Sequence, residues 1–267
     1  MAKTVTEEAN SCAHTVLSES LYSAAYGAQS AMGKSLYSPS ATSASIQSFR
    51  ERAYALNGAV LTATGIDDHE SFVKAVEEGF SESNIGGSPG APVSSPFLGG
   101  ETRIHATAGY THLALGFKSA ASTPLMNVVK QCITLSSEGL SGFASEGLVG
   151  VYGGSAPSDA AAVSDALCAS ITSAPSADIV KRAKGLAKAE AVFALDGGSQ
   201  SLADAMTSSV AESGAFSAAG VAAAYDAITA KDVVAAFEAM AKSTPAMAAV
   251  GDLSSTPYQG SIVAKFG

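Results

Sequence analysis

Gly86-Gly87-Ser88-Pro89-Gly90 fits the G-x-S-x-G pattern of a serine hydrolase's nucleophile elbow. In such an elbow a strand delivers the serine and a helix leads away, so the strained turn holds the hydroxyl out toward the substrate. Here Pro89 follows the serine directly and removes the amide that an oxyanion hole would take from that position. Glycine, proline and serine surround the pentad, so it is expected to be a joint between domains. Gly27–Ser35, GAQSAMGKS, approaches a phosphate loop, but five residues separate its glycines where four are required. A helix also precedes it where a strand would be needed, which leaves a helix end and a turn.

The four histidines, His14, His69, His105 and His112, show neither H-E-x-x-H nor H-x-x-E-H. His69 stands with Asp67, Asp68 and Glu70 and reads as a helix start; His112 reads as a structural histidine on a strand. Cys12, Cys132 and Cys168 are odd in number and scattered, without C-x-x-C spacing, so reduced thiols are expected. No catalytic, cofactor-binding or metal-binding residue is expected, and no cofactor.

The chain that must position any surface has 267 residues and a net charge of -9. That balance argues against nucleic acid, whose phosphates call for a basic stripe. The densest basic stretch, VKRAKGLAK with Lys181, Arg182, Lys184 and Lys188, reads as one solvated helix face. Serine, alanine and glycine dominate and tryptophan is absent, so small-residue helices are expected. No apolar run approaches the roughly 18–20 residues that span a bilayer. The first ten residues lack a signal peptide's apolar core and an Arg-rich, acid-poor transit character. An internal import signal, or a presequence already removed, is the expectation.

Helical spacing predicts a helix within residues 11–31 ending near Gly27, and another from Ser43 to Tyr54 with Ile46, Phe49 and Ala53 on one face. Gly58–Ile66 is short, β-branched and bounded by glycine, which predicts a buried strand. Asp68 should cap a helix that runs to Phe80. Ser83–Gly100 has linker composition. Beyond it, Gly109–Phe117 and Ser145–Gly154 read as strands, Pro124–Leu135 as a helix, and Asp159 onward as largely helical. Ser45–Asp67 and Asp232–Leu253 share one plan: a helix with a central phenylalanine (Phe49, Phe237), then a small-residue strand ending at glycine (Gly65, Gly251). Thr229 with Asp232 is the start signal of the second helix. The first copy has about 80 residues before the linker and the second about 165, so the front half of the first domain is expected to be missing.

Leu21–Phe80 resembles the latter half of the first domain in pitrilysin-type metallopeptidase homologues. The branch includes mitochondrial processing peptidase and the core proteins of ubiquinol–cytochrome c reductase, respiratory complex III. Gly99–Phe117 is similar to the opening of that family's second domain and Ile228–Tyr258 to its closing helix and strand. The resemblance runs from about Leu17 to Tyr258 and leans to the non-catalytic members, core protein 2 and the peptidase alpha subunit.

It implies an α+β fold: two related sheet-plus-helix domains of the metallopeptidase-homologue type, the first present only as its C-terminal half. Residues 1–83 would be that half, 84–100 a linker and 101–267 the second domain. The family's zinc motif, H-x-x-E-H, and the region that would carry it are absent from this sequence. The glycine-rich substrate loop of alpha subunits, expected after Pro124–Leu135, is missing too.

The implied function is a structural core protein 2-like subunit of complex III, peripheral on the matrix side of the mitochondrial inner membrane. Its partners would be a core protein 1-like chain and other subunits of the complex. Alternatives are an alpha-type subunit of the processing peptidase or a core-like accessory subunit of another inner-membrane complex. An unpaired sheet edge and exposed apolar surface in a truncated domain would call for a separate chain to supply the missing half.

Overall fold

The structure is a computed structural model that describes residues 2–37, 42–54, 58–81, 94–106, 109–145 and 147–266. In chain order its elements are α1 (Ala2–Ser11), α2 (Ala13–Tyr26), α3 (Ser43–Ala53), α4 (His69–Ser81), β1 (Glu101–His105), β2 (Thr111–Lys118), α5 (Thr123–Ser136), β3 (Leu140–Ser145) and β4 (Leu148–Ser155). A 3-10 turn at Pro157–Asp159 leads into α6 (Ala160–Thr172), α7 (Ala177–Asp196), α8 (Ser199–Ser213), α9 (Ala218–Asp226), α10 (Ala230–Ala241), β5 (Ala246–Gly251) and α11 (Gln259–Val263).

Two compact units result. One comprises Met1–Pro39, Val93–Lys188 and Ala224–Gly267; the other comprises Ser40–Pro92 and Ala189–Ala223. This grouping departs from the sequential one expected, 1–83 against 101–267. The reason lies in α2. Its Leu17, Leu21, Ala24 and Ala25 are buried on Ala114, Ala246 and Ala248 of the sheet, so burial ties the N-terminal helix to strands that follow it by about ninety residues or more.

In the first unit the sheet order is β1-β5-β2-β4-β3. β1 runs parallel to β5, and the other pairings are antiparallel. Successive residues of β2 point to opposite faces, and both faces are covered. Leu113, Leu115 and Phe117 bury on the side of α5 and α6, while Ala114 and Gly116 meet α2. A Cβ at Gly116 would sit 3.2 Å from the Leu21 side chain, so the bare backbone is what lets α2 lie this close. All six residues of β5 are buried, and four of them are alanine or glycine, which serves the same close approach.

Most expected elements form near their expected limits. The helix ending near Gly27 is α2, closed by Gly27 at φ 83°. Asp68 starts α4 by accepting from the amides of Glu70 and Ser71. Thr229 and Asp232 close a reciprocal capping box at α10, and Thr42 with Ser45 does the same for α3.

Three differences matter. Gly58–Ile66 is not a strand: no described strand lies beside it to complete a ladder. Thr62 instead hydrogen-bonds the Ala203 carbonyl and the Thr207 hydroxyl of α8, and Thr64 the Ser199 carbonyl. β1 and β3 were not expected; both are edge strands with few β-branched residues. Finally, the described end of the expected linker, residues 94–100, is anchored. The amides of Leu98 and Gly100 donate to the carbonyls of Ala25 and Ala24 at 2.7 and 2.9 Å, satisfying acceptors that the last turn of α2 leaves open.

The second unit contains α3, residues 58–66, α4, the end of α7, α8 and the start of α9. None of its described residues is buried.

Candidate functional site

The sequence candidates for catalysis do not come together. Ser88 and its pentad lie outside the described residues. Gly27–Ser35 is the cap and turn after α2, with Ser30 and Lys34 amides donating to the carbonyls of Gly27 and Ser30. Among the described residues no three His, Cys, Asp or Glu side chains are grouped as a metal site would need. His69 begins α4, and His105 closes β1.

His14 and His112 do approach the same aromatic patch. The His14 ring meets Tyr152 edge-on at 5.2 Å between centroids, and His112 lies 5.8 Å from Tyr110. Burial holds the His112 imidazole below its ordinary value of 6.5, and the neighbouring positive charge of His14 adds to this. The folded state therefore resists a proton that the unfolded chain accepts. That contribution to stability is full above about pH 6.5 and is lost as pH falls toward the lower folded value. Thermal melts taken from roughly pH 7.5 down to 5 should show this decline, and His112→Gln should flatten it. A variant whose pH profile matched the parent would remove His112 as its source.

The cysteines divide by burial. Cys132 is buried on α5, which pushes its thiol up to about 12, and burial likewise raises Cys168 on α6. Cys12 is exposed at the start of α2, and hydrogen bonding with Thr15 lowers its value. All three cysteines are free in the structure.

What the fold does build is surface. α2 leaves two openings along the sheet face it covers. One, of about 370 Å³, lies toward β1 and is lined by Thr15, Glu19, Ser23, Tyr37, Thr102 and Ile104 among others. Glu19 is held there by accepting from the Leu36 amide at 2.9 Å. The other, of about 230 Å³, lies toward β3 and β4 between His14, Leu17, Tyr22, Phe143 and Tyr152. Its mouth is fixed by the Tyr22 hydroxyl, which donates to the Ser145 carbonyl at 3.0 Å.

The two sheet edges are treated differently. Along β3 runs α5: the Gly142 amide donates to the Thr134 hydroxyl, and a Cβ at Gly142 would fall 2.2 Å from the Lys130 carbonyl oxygen. Only glycine allows that contact. β1 instead carries a clasp. The Arg103 guanidinium pairs with Glu101 at 2.9 Å and donates to the carbonyls of Pro257 and Thr256 at 3.0 and 3.1 Å. It also lies over the Tyr258 ring at 4.4 Å, while Glu101 accepts from the Gln259 amide. These bonds hold residues 253–259 against β1.

Arg103→Ala takes the donor from one Glu101 carboxylate oxygen and from the Pro257 and Thr256 carbonyls, at a cost of about 2–3 kcal/mol. A lowered urea midpoint together with early proteolysis after residue 252 is the expected result. An unchanged midpoint would mean that the clasp is ornamental. Sequence reasoning passed over this group because an i, i+2 Arg–Glu pair on a short edge strand carries no distinctive pattern.

With this geometry in place, comparison with solved structures is informative. A chain in the structure titled "Complex III2 from Candida albicans, Inz-5 bound" superposes with a TM-score of 0.84. The correspondence covers 99% of this chain and 73% of that one, at 14% sequence identity. The two chains share a fold. No family model matches this sequence, and no curated protein does either. The mixed α+β architecture with one open five-stranded sheet is therefore that of a chain found in a complex III structure.

Proposed function

We propose that this chain is a non-catalytic structural subunit of respiratory complex III, of the core protein 2 type. The observation that carries the reading is the fold shared with a complex III chain across 99% of this one. The resemblance of Leu21–Phe80, Gly99–Phe117 and Ile228–Tyr258 to pitrilysin-type homologues supports it from the sequence side. Its work would be mechanical: helix faces and sheet edges bury against a core protein 1-like chain and other subunits, and no bond is made or broken. It would sit peripherally on the matrix side of the mitochondrial inner membrane. Among the described residues no helix is long and apolar enough to cross a bilayer.

The connection between α5 and β3 is only residues 137–139. A glycine-rich substrate loop of the kind implied for peptidase alpha subunits has no room there, which favours the scaffold over the alpha-type alternative. The test is isolation of the native assembly through a tag on this chain, with its mass, visible spectrum and subunit composition recorded. Haem b and c absorbance beside a second core-like chain is the expected result. A small haem-free pair containing an H-x-x-E-H chain would assign the protein to a processing peptidase. A large haem-free complex would move it to another assembly.

A further inference from the structure

We infer that the opening of about 230 Å³ between α2 and the β3–β4 pair is a binding site for a neutral single-ring phenol. Such a site is independent of the complex III reading: the opening's walls, size and mouth define it. α2 lies over β1, β5 and β2, and beyond β2 this face of the sheet is walled by rings. Phe143 of β3 lies across Gly150, where a Cβ would come within 2.7 Å of its ring. Tyr152 of β4 stands on the same face, one pleat further along. Tyr22 of α2 is the third ring. It is fixed twice, by donation from its hydroxyl to the Ser145 carbonyl at 3.0 Å and by stacking on Tyr26 at 6.3 Å between centroids. The floor is Ala114 of β2, 2% exposed, whose methyl group leaves the space between the rings open.

The size and the walls together select the ligand. A dry cavity of about 150 Å³ holds benzene, whereas drug-sized molecules occupy clefts of roughly 300–1,000 Å³. An opening of about 230 Å³ lies between the two and matches one substituted ring. Three aromatic walls favour an aromatic occupant, because offset and edge-to-face ring contacts add to what area burial alone contributes.

The mouth determines the substituent. His14 and Ser18 stand there one helical turn apart on α2, both exposed. The His14 imidazole meets Tyr152 edge-on at 5.2 Å between centroids, which sets it beside the aromatic wall. Neither its ring nitrogens nor the Ser18 hydroxyl has a hydrogen-bond partner among the described residues. A hydroxyl on the ligand ring satisfies both, donating to one and accepting from the other. A carboxylate in its place would work against the chain's net charge of -9.

Titration of the purified full chain with phenol, toluene and benzoate, followed by amide chemical shifts, tests this. Phenol should saturate with a dissociation constant of about 1 mM or below, as expected for so small a ligand. The shifts should centre on His14, Ser18 and Ala114. Toluene, of the same shape without the hydroxyl, should bind about fivefold more weakly or worse, and benzoate likewise. His14→Ala with Ser18→Ala should bring phenol to toluene's level. Ser18→Phe, at an exposed position, should close the mouth and abolish binding of both with the melting temperature unchanged. No saturation by phenol at roughly ten times the expected constant, shifts centred elsewhere, equal affinity for phenol and toluene, or parent-like binding by Ser18→Phe would each overturn the assignment. The outcome holds whichever assembly the chain belongs to.

Discussion

Gly150→Ala is expected to lower stability by about 3 kcal/mol or more and to shift the urea midpoint accordingly. Gly150 on β4 faces Gly116 on β2. A Cβ added at Gly150 would lie 2.0 Å from the Leu115 carbonyl oxygen and 2.7 Å from the Phe143 ring. The ring could turn, but the carbonyl belongs to the neighbouring strand and can retreat only if β2 and β4 part. That ladder lies in the middle of the sheet, so local yielding spreads into the pairings on both sides. Gly185→Ala is the control. Nothing lies within 4 Å of a Cβ there, so in α7 it should be neutral or should gain up to about 1 kcal/mol. Equal midpoints for the two variants would mean that β2 and β4 are not paired in this register.

Leu21→Asp carries the second large effect, about 5 kcal/mol, comparable with the whole stability of many domains. Leu21 is 3% exposed and rests against Gly116, at the centre of the α2–sheet contact. The substitution removes a buried apolar side chain from that face and puts a carboxylate among apolar neighbours. α2 should lift off, the sheet should bind a hydrophobic dye, and residues 1–37 should become open to proteolysis. The variant also discriminates between two ways of dividing the chain. If the N-terminal helix belonged to a self-sufficient first domain, as the sequence order suggests, the sheet's own melting transition would be untouched.

Local structure was legible wherever side chains state a local preference. Thr229–Asp232 and Asp68 announced their helix starts, Gly27 its helix end, and Leu113, Leu115 and Phe117 their shared face. Long-range decisions were not. Nothing in α2 says that its stripe will meet Ala246 and Ala248, because complementarity between small residues has no periodic signature. β1 and β3 escaped notice because an edge strand is defined by its neighbour more than by its own residues. Gly58–Ile66 failed in the opposite sense, having the composition of a strand without a partner strand among the described residues. The candidate surface was the least legible, since Arg103 acquires its role from carbonyls 153 and 154 residues further along.

The place of β5 has a consequence for how the protein comes into being. β5 sits between β1 and β2, yet it is formed by Ala246–Gly251, which are synthesised well after both of those strands. β1 and β2 do not pair with each other, and α2 rests on β5 more than on either of them. Until the ribosome has delivered residue 251, the first unit's chain can settle only the β2–β4–β3 meander and its helices. At about 5–20 residues per second, α2 waits roughly ten seconds or longer for that strand and the meander roughly five seconds or longer. Closure is thus postponed until β5 has been made, and the apolar face that α2 will lay on it stays uncovered for that interval.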